Sequence, residues 1–321
     1  DAEGQQVPYQ ITSDEKVIFP VTVQANGSAV YTIKVGIPQE CPVKACGRYY
    51  PERVDDVAWE NDLTAFRAYG PALQETGERA FGYDIWTKYN TTEPVVEARY
   101  EGELNPDMKA KIAELGKTDP KAAQELYRSV SYHVDHGNGL DCYKVGPTLG
   151  GGTTALMAGD TIVYPYCYAT QEILDNGPLR FTVKLVYNPL VVKGDSTIIE
   201  TRIITLDAGS YCNKTVVSYT NLKETMPLAV GIVLHEPDGA IVADAANGYM
   251  TYVDPTDNAG GDNGKIFVGA AFPTLVKEAK AVLFPEKEKK ELRGGADGHV
   301  LAISEYEPGA DFTYYWGAAW S

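Results

Sequence analysis

The stretch FTVKLVY, residues 181–187, alternates apolar and polar side chains. This two-residue period places Phe181, Val183, Leu185 and Tyr187 on one face, as in a β-strand with one buried side. Many short strands with turn residues between them predict a large antiparallel β-sandwich in a single domain over 1–321. Similar runs, separated by Gly, Asn and Asp, occupy 29–35, 95–101, 161–168, 197–207, 214–220, 228–235, 249–253, 265–272, 280–284, 299–306 and 312–319.

One region departs from this pattern. NPDMKAKIAELGK begins with Asn105, which suits a helix N-cap, and Pro106, which suits the first helical position. DPKAAQELYRSV repeats the arrangement with Asp119 and Pro120. The sequence therefore predicts two short helices over 105–131, inserted in the β framework.

The chain carries 28 basic and 44 acidic residues, a formal charge of −16. This excess argues against nucleic acid and anionic membranes as partners, because both bind basic surfaces. No apolar run reaches the length of a membrane span. Tyrosine is abundant, with 22 Tyr against 8 Phe, and its ring offers a sugar an apolar face and a polar tip. No signal peptide is visible, but the opening DAEGQQVPYQ is typical of a mature or trimmed terminus, so an exported protein, periplasmic or on the outer cell surface, stays an expectation.

The segment YHVDHGNGLDCYKVGPTLGGG (132–152) concentrates titratable side chains and ends in glycines, as loops that carry catalytic groups do. Gly137 and Gly139 favour a turn. Histidine beside aspartate suits a general base with an orienting partner, with Asp135 among the catalytic candidates. The same residues also suit a metal site or a hydrogen-bonded surface loop. The candidates are His133, Asp135, His136, Asp141, Tyr143 and Lys144.

A second motif is DDVAWENDLTAFRAYGP (55–71). If it is extended throughout, alternation places Trp59, Asn61, Arg67 and Tyr69 on one face. Aromatic rings can stack on sugars, while Asn and Arg can bind hydroxyls or a carboxylate. These four residues are therefore candidates for substrate binding. The alternative is a core strand that carries an Arg–Asp pair.

Three further features are less specific. His235 ends the apolar run 228–234 and is a candidate for substrate binding. VDPTDNAGGDNG (253–264) is rich in oxygen ligands, so a Ca²⁺ or other divalent metal site stays open, although the EF-hand spacing is absent. No cofactor is required by the chemistry considered below. Cys41 and Cys46 are close enough in sequence to close a disulfide loop.

The motifs RVDDVAWENDLTAFRAYGPAL (53–73), YHVDHGNGLDCYKVGPTLGGGTTAL (132–156) and the terminal YYWGAAWS resemble the family of bacterial proteins named DUF4861. The resemblance covers most of the chain. It implies an exported protein of Bacteroidetes, encoded in polysaccharide-utilisation loci beside unsaturated-uronyl hydrolases of glycoside hydrolase families 88 and 105. It also implies a β-sandwich of the galactose-mutarotase-like kind, and uronic-acid oligosaccharides or polysaccharides as ligands.

These observations together lead to the hypothesis of a carbohydrate-active enzyme that performs β-elimination on a uronic-acid sugar, as a lyase or a dehydratase. The reaction needs a group that holds the carboxylate, a base for the C5 proton and an acid for the departing oxygen. Arg67 or Lys144 would hold the carboxylate, His133 or His136 would be the base, and Tyr143 would be the acid.

Three alternatives remain at this level. A glycoside hydrolase would use two carboxylates on either side of the scissile bond. A mutarotase-like epimerase and a non-catalytic sugar-binding module are the other two. The carboxylates available to a hydrolase are Glu60, Asp62, Asp135, Asp141 and Glu236.

Overall fold

The computed structural model describes residues 1, 3–37, 39–257 and 262–321. It is mostly β, with 41% of residues in strands and 14% in helices, so the predicted fold class is confirmed. The strands are β1 (Gln10–Ile11), β2 (Val17–Ile18), β3 (Ala45–Tyr50), β4 (Asp56–Asn61), β5 (Thr64–Ala68), β6 (Asp84–Thr87), β7 (Gly151–Ala158), β8 (Thr161–Ile162), β9 (Tyr168–Asn176), β10 (Arg180–Tyr187), β11 (Leu190–Val192), β12 (Asp195–Asp207), β13 (Cys212–Thr220), β14 (Met226–Leu234), β15 (Ile241–Asp244), β16 (Tyr249–Asp254), β17 (Ile266–Ala271), β18 (Glu278–Leu283), β19 (Gly298–Tyr306) and β20 (Phe312–Trp320).

The helices confirm the two N-caps read from the sequence. The Asn105 side chain accepts a hydrogen bond from the Met108 backbone N–H at 2.9 Å, and Asp119 accepts one from Ala122 at 3.0 Å. Across the part of the chain that the structure describes, no helix is long and apolar enough to cross a membrane. The helices are α1 (Pro71–Glu75), α2 (Val96–Leu104), α3 (Pro106–Gly116), α4 (Pro120–Arg128) and α5 (Glu286–Leu292).

The predicted strand at 95–101 is wrong, because most of it forms helix α2. The buried side chains there are Val96, Arg99 and Tyr100, which follow the spacing of a helix and not the alternation of a strand. The Glu60 carboxylate caps this helix from β4 by accepting the Val96 N–H at 2.8 Å. That cap comes from a distant part of the chain, so a local pattern could not reveal it.

The predicted strand at 29–35 is also wrong. Its side chains are exposed, with Ile33 at 86% and Val35 at 107% relative exposure, and the segment joins no sheet in the described structure. Strand propensity alone does not order a segment that has no neighbour to pair with. Cys41 and Cys46 are both free thiols, so the disulfide allowed by their spacing is not formed.

Two β layers enclose the main core. One layer is a nine-stranded sheet in the order β15-β16-β17-β20-β13-β12-β10-β9, with β11 beside β12. The other layer joins the sheet β18-β19-β14-β7-β8 to the sheet β3-β4-β5-β6 through a bridge between Tyr83 and Gly150. We call the nine-stranded sheet the large sheet and β3-β4-β5-β6 the small sheet. Strands β3, β4 and β6 contact β10, β12 and β20 of the large sheet, so one face of the small sheet is inside the sandwich.

The small sheet separates Trp59 from Arg67. Residues directly opposite each other on paired strands share a face, and here Trp59 pairs with Phe66 while Ala58 pairs with Arg67. Trp59 therefore points into the sandwich and Arg67 points outward. The prediction that they share a face is wrong because Asp62 and Leu63 form a two-residue turn, which pairs odd-numbered with even-numbered positions.

Candidate functional site

Residues 132–152, called here the histidine segment, form an irregular loop that follows α4 and ends at the start of β7, as their glycines predict. Part of it lies along the edge of β6, where the Thr87 N–H donates to the Leu140 carbonyl at 2.9 Å. Trp86 and Asp141 form an antiparallel bridge next to this bond. Because bridged residues share a face, the Asp141 side chain lies on the same outer face of the small sheet as Arg67.

Gly139 permits this docking. Its φ is +95°, and a Cβ atom at this position would lie 2.2 Å from the Thr87 carbonyl oxygen. The Asp135 carboxylate secures the turn by accepting the N–H groups of Gly137 at 2.8 Å and Gly139 at 3.0 Å. It also accepts the Tyr89 hydroxyl at 2.9 Å. These contacts of Asp135 stabilise the turn of the loop, whereas the sequence predicted a catalytic role for this residue.

Arg67 holds three carboxylates together on this outer face. Its Nε donates to Asp84 Oδ2 at 2.9 Å and its Nη2 donates to Asp141 Oδ2 at 2.9 Å. The third carboxylate belongs to Asp56, with Oδ2 at 3.5 Å from Nη1, and the Tyr69 hydroxyl accepts from Nη2 at 3.3 Å. We call these residues the arginine cluster: Asp56, Arg67, Tyr69, Asp84 and Asp141.

Burial and unbalanced charge raise the pKa of two members of the arginine cluster. The pKa of Asp141 is raised to about 7. Burial is the largest cause, the charge of Asp84 adds to it, and the charge of Arg67 opposes it. Burial likewise raises the pKa of Asp56 to about 6. The positive charges of Arg67 and Arg53 lower the pKa of both carboxyl groups but do not offset the effect of burial.

His133 lies between the arginine cluster and solvent, with half of its side chain exposed. Its Nδ1 is 3.0 Å from the Asp141 backbone oxygen and 3.7 Å from the Asp141 carboxylate. A carbonyl oxygen can only accept, so Nδ1 carries the proton of the neutral ring and Nε2 keeps its lone pair. His133 is thus held in the tautomer that a general base requires.

His136 faces a different partner. Its Nε2 lies 3.0 Å from the Ser131 carbonyl oxygen, to which it donates, and its side chain is otherwise exposed. His133, in contrast, contacts the arginine cluster through Asp141. Of the two histidines proposed as the base, the geometry favours His133.

A second polar group joins the two β layers at the ends of β14 and β16. His235 Nδ1 donates to Asp254 Oδ2 at 2.6 Å, which orients the ring and leaves Nε2 available. Asp254 is fully buried, whereas 16% of the His235 side chain is exposed. The Tyr252 hydroxyl fixes the backbone here by accepting the N–H of His235 at 3.2 Å.

Tyr143 lies between the arginine cluster and the His235–Asp254 pair. Its ring centroid is 6.3 Å from that of His235, in an edge-on arrangement. Burial raises its pKa, and the charges of Asp254 and then Asp84 add to this effect. The Tyr143 hydroxyl is buried and has no hydrogen-bond partner among the described residues. The hydroxyl is therefore protonated at neutral pH, and its hydrogen-bonding capacity is not used within the described residues.

Three residues predicted to bind substrate do not face a site. Trp59 is fully buried and its Nε1 donates to Asn213 Oδ1 at 2.8 Å, so no ring face is open to a sugar. Asn61 donates to the carbonyls of Asp207 and Ser210, each at 2.7 Å. Arg67 is only 4% exposed. Its Nε and Nη2 donate to carboxylates, while its Nη1, 3.5 Å from Asp56 Oδ2, is buried without a hydrogen bond among the described residues, so a substrate carboxylate has no access to the guanidinium. Of the remaining candidates, Lys144 is exposed and Tyr69 belongs to the arginine cluster.

Sequence reasoning missed Asp84 and Asp254. Each is a fully buried carboxylate in a strand of otherwise mainly apolar character, FGYDIWT and MTYVD. A buried charge needs a partner, so an aspartate within a mainly apolar strand is the sequence feature that could have identified both residues.

The described residues contain no group of three or more His, Cys, Asp or Glu side chains able to hold a metal ion. The calcium loop considered at 253–264 includes residues 258–261, which lie outside the described residues. Glu60, a carboxylate considered for hydrolysis, caps helix α2 and accepts Lys88 Nζ at 2.7 Å. Its oxygens are therefore engaged in structure.

A cavity of about 210 Å³ opens beside β3, β4 and α2; Trp59 is among the residues that line it, and no residue of the histidine segment is. The charged groups around it are paired, since Arg48 binds Glu97 with its Nε at 2.7 Å and Glu60 binds Lys88.

A family model described as a domain of unknown function, DUF4861, matches residues 1–321. The chain is 28% identical over 224 residues to the uncharacterized protein P7 of Formosa agariphila, covering 68% of this chain and 50% of that protein. It thus spans about half the length of this curated relative. The GH36 α-galactosidase AgaA of Geobacillus stearothermophilus covers 83% of the chain at 10% identity, while the match takes in 41% of that enzyme. With a TM-score of 0.36, this likeness carries no argument about fold or function.

Proposed function

The chain belongs to the DUF4861 family, and we propose that it is a carbohydrate-active enzyme that performs β-elimination on uronic-acid oligosaccharides. The family description names no activity, so the proposal depends on the site. Elimination needs a base and an acid on the same sugar, with water kept from the reacting atoms. We propose that the histidine segment supplies both.

The observation that carries the proposal is the buried hydroxyl of Tyr143, which has no hydrogen-bond partner within residues 1, 3–37, 39–257 and 262–321 and lies two residues beyond the aspartate that contacts His133. A buried hydroxyl without a partner costs folding free energy, so its presence calls for a functional explanation. A departing sugar oxygen is the kind of partner that such a hydroxyl could serve.

His133 is the proposed base. Its Nε2 would take the C5 proton of the uronic sugar, which leaves the ring positively charged. The Asp141 carboxylate, 3.7 Å from Nδ1, would stabilise that charge as the partner aspartate does in a hydrolytic triad.

Tyr143 is the proposed acid. As the C5–H electron pair forms the C4–C5 double bond, the C4–O bond breaks and Tyr143 gives its proton to the departing oxygen. The products are a 4,5-unsaturated uronic residue and either water or a shortened sugar chain, so the reaction is a dehydration or a lyase cleavage. The phenolate regains a proton from solvent, and His235, oriented by Asp254, lies beside it to relay that proton.

These steps use only side chains of this protein. We also propose an exported location, periplasmic or on the outer cell surface, because oligosaccharides released from external polysaccharides are present there. The acidic composition supports sugar ligands over nucleic acid or anionic membranes.

The test is an assay of the protein on a panel of uronic-acid oligosaccharides, read by the ultraviolet absorbance of the conjugated unsaturated product. Growth of that absorbance supports elimination. New reducing ends without absorbance would indicate a hydrolase, anomer exchange alone a mutarotase, and binding without turnover a sugar-binding module. Any of these three results overturns the proposal.

A further inference from the structure

Elimination requires a cation at the substrate carboxylate, and Arg67 is not available for that task. A second arginine lies at the outer edge of the same site. Arg53 ends a 3₁₀ turn, Pro51–Arg53, just before β4. Val54 and Asp55 follow with positive φ values of 47° and 65°, so the chain turns sharply after Arg53. This bend directs the chain from the 3₁₀ turn into the strand that carries Asp56.

Only part of the Arg53 guanidinium is hydrogen-bonded within the described residues. Its Nε donates to the Tyr132 hydroxyl at 3.1 Å, and within the described residues this is its one side-chain hydrogen bond. The residue is partly exposed. Its Nη1 and Nη2 therefore remain as a pair of donors, the fork that suits a carboxylate.

Arg53 and the proposed base both contact the side chain of Tyr132. Tyr132, which accepts from Arg53, also packs against His133 with ring centroids 4.5 Å apart. Both Arg53 and His133 lower the pKa of Asp141 by their charge, so both are within electrostatic reach of that carboxylate. Tyr132 itself is buried and stacks on Trp86, so the proposed sugar lies beside this ring, where the half-exposed His133 and the partly exposed Arg53 reach solvent.

We propose that Arg53 is the substrate-binding residue that holds the uronic carboxylate, through its Nη atoms, while its Nε stays on Tyr132. This inference rests on the proposed function and adds the source of its specificity for acidic sugars. Binding the carboxylate to a fixed guanidinium offsets its negative charge. Removal of the neighbouring C5 proton, which makes further negative charge, then becomes easier.

The experiment compares Arg53→Gln and Arg53→Lys with the unaltered protein. Glucuronate and glucose serve as the charged and neutral probes, and their binding is measured by calorimetry. Arg48→Gln is the matched control, because Arg48 is a nearby arginine whose guanidinium already binds Glu52 and Glu97 on the surface. Urea unfolding of each variant checks that the fold is intact.

We expect Arg53→Gln to weaken glucuronate binding by about 10- to 100-fold, the scale of a charge-assisted hydrogen-bonded contact, and to leave glucose binding unchanged. Arg53→Lys should give a smaller loss because it keeps the charge without the fork, and Arg48→Gln should match the unaltered protein. Equal glucuronate affinity in Arg53→Gln and the unaltered protein, or an equal loss for both sugars, overturns the inference. The binding result is separate from the elimination assay: unsaturated product without an Arg53 effect would reject Arg53 alone, whereas no product from any substrate would reject the proposed function.

Discussion

Arg67 and Asp141 are 74 residues apart in the chain, yet Arg67 Nη2 donates to Asp141 Oδ2 at 2.9 Å. This bond joins the two sequence motifs, because Asp141 also contacts His133. Had Arg67 lain on the other side of the sandwich from both histidines, the elimination mechanism would have had no site. The two motifs do converge, but they do so around a buried ion cluster in which Arg67 holds Asp141 in place.

Replacing His133 by Ala should lower turnover by about 10²-fold or more, the usual effect of losing a general base. His136→Ala is the matched control, since His136 bonds only to the Ser131 backbone oxygen and should keep most of the activity. Initial rates of unsaturated-product formation give the comparison. A larger loss in His136→Ala than in His133→Ala would exchange their roles and refute the assignment.

Replacing Tyr143 by Phe should abolish most turnover without loss of stability. The hydroxyl is buried and unpaired among the described residues, so its removal leaves no hydrogen bond broken and relieves a desolvation cost. Tyr100→Phe provides the contrast, because the Tyr100 hydroxyl donates to Asp56 Oδ2 at 3.1 Å. Urea unfolding should show Tyr143→Phe at least as stable as the unaltered protein and Tyr100→Phe less stable. A strongly destabilised Tyr143→Phe would point to a structural role instead.

The stability of the protein should fall as pH rises from about 4 to about 7. Asp141 and Asp56 have pKa values of about 7 and about 6 in the folded state, above the 3.8 of an unperturbed Asp. The folded state therefore binds more protons than the unfolded chain in this range, and ionisation opposes folding. Buried His299, whose pKa is lowered to about 3, acts in the opposite sense over the same range and offsets part of this decline. Asp14 and Asp195, with pKa values of about 2, also act in the opposite sense, but below this range.

Asp141→Asn should make this decline shallower, because the variant has no charge to acquire at that position. Free energies of unfolding from urea titrations at a series of pH values provide the measurement. Parallel curves for the variant and the unaltered protein would show that Asp141 does not titrate in this range.

Gly139→Ala should destabilise the protein and reduce activity more than Gly137→Ala. Both glycines have nearly the same positive φ, +95° and +94°, so the conformational cost of alanine is similar. Only at position 139 would the new Cβ collide with a backbone atom, the Thr87 oxygen. Thermal unfolding and activity of the two variants isolate the effect of docking. Equal effects would mean that the loop does not depend on this close approach.

Trp59→Ala should cost about 3–5 kcal/mol of stability, as expected for a buried Trp in a packed core. Trp59 stacks on Phe181 and meets Trp316 edge-on, and its hydrogen bond to Asn213 would also be lost. Tyr211→Ala, at a position 48% exposed, should cost far less. Chemical denaturation measures both. A stable Trp59→Ala that had lost only sugar binding would restore the original interpretation of this residue.

Local patterns predicted the local structure well. The alternation in 181–187 is a strand, β10, and Asn105 and Asp119 cap the helices that their sequence context predicts. In each case the deciding interactions lie within a few residues. The loop at 132–150 is also as expected, because its glycines adopt φ values that other residues rarely adopt.

The failures all depend on contacts between distant segments. The face on which Arg67 lies is set by a hairpin turn, and its ion pairs are with Asp84 and Asp141, which are distant in the chain. The helix at 96–104 depends on Glu60. A one-dimensional pattern can show that a buried charge needs a partner, but only the register of the strands decides which partner it has.

The position of residues 138–141 along β6 has one further consequence. Without this segment, β6 would present free N–H and C=O groups at the open edge of the small sheet, and such edges invite strand addition by another copy of the chain. The loop that carries the proposed base therefore also shields the protein from self-association. Substitutions that release it should appear first as poor solubility during expression or storage, before any change in catalytic rate can be measured.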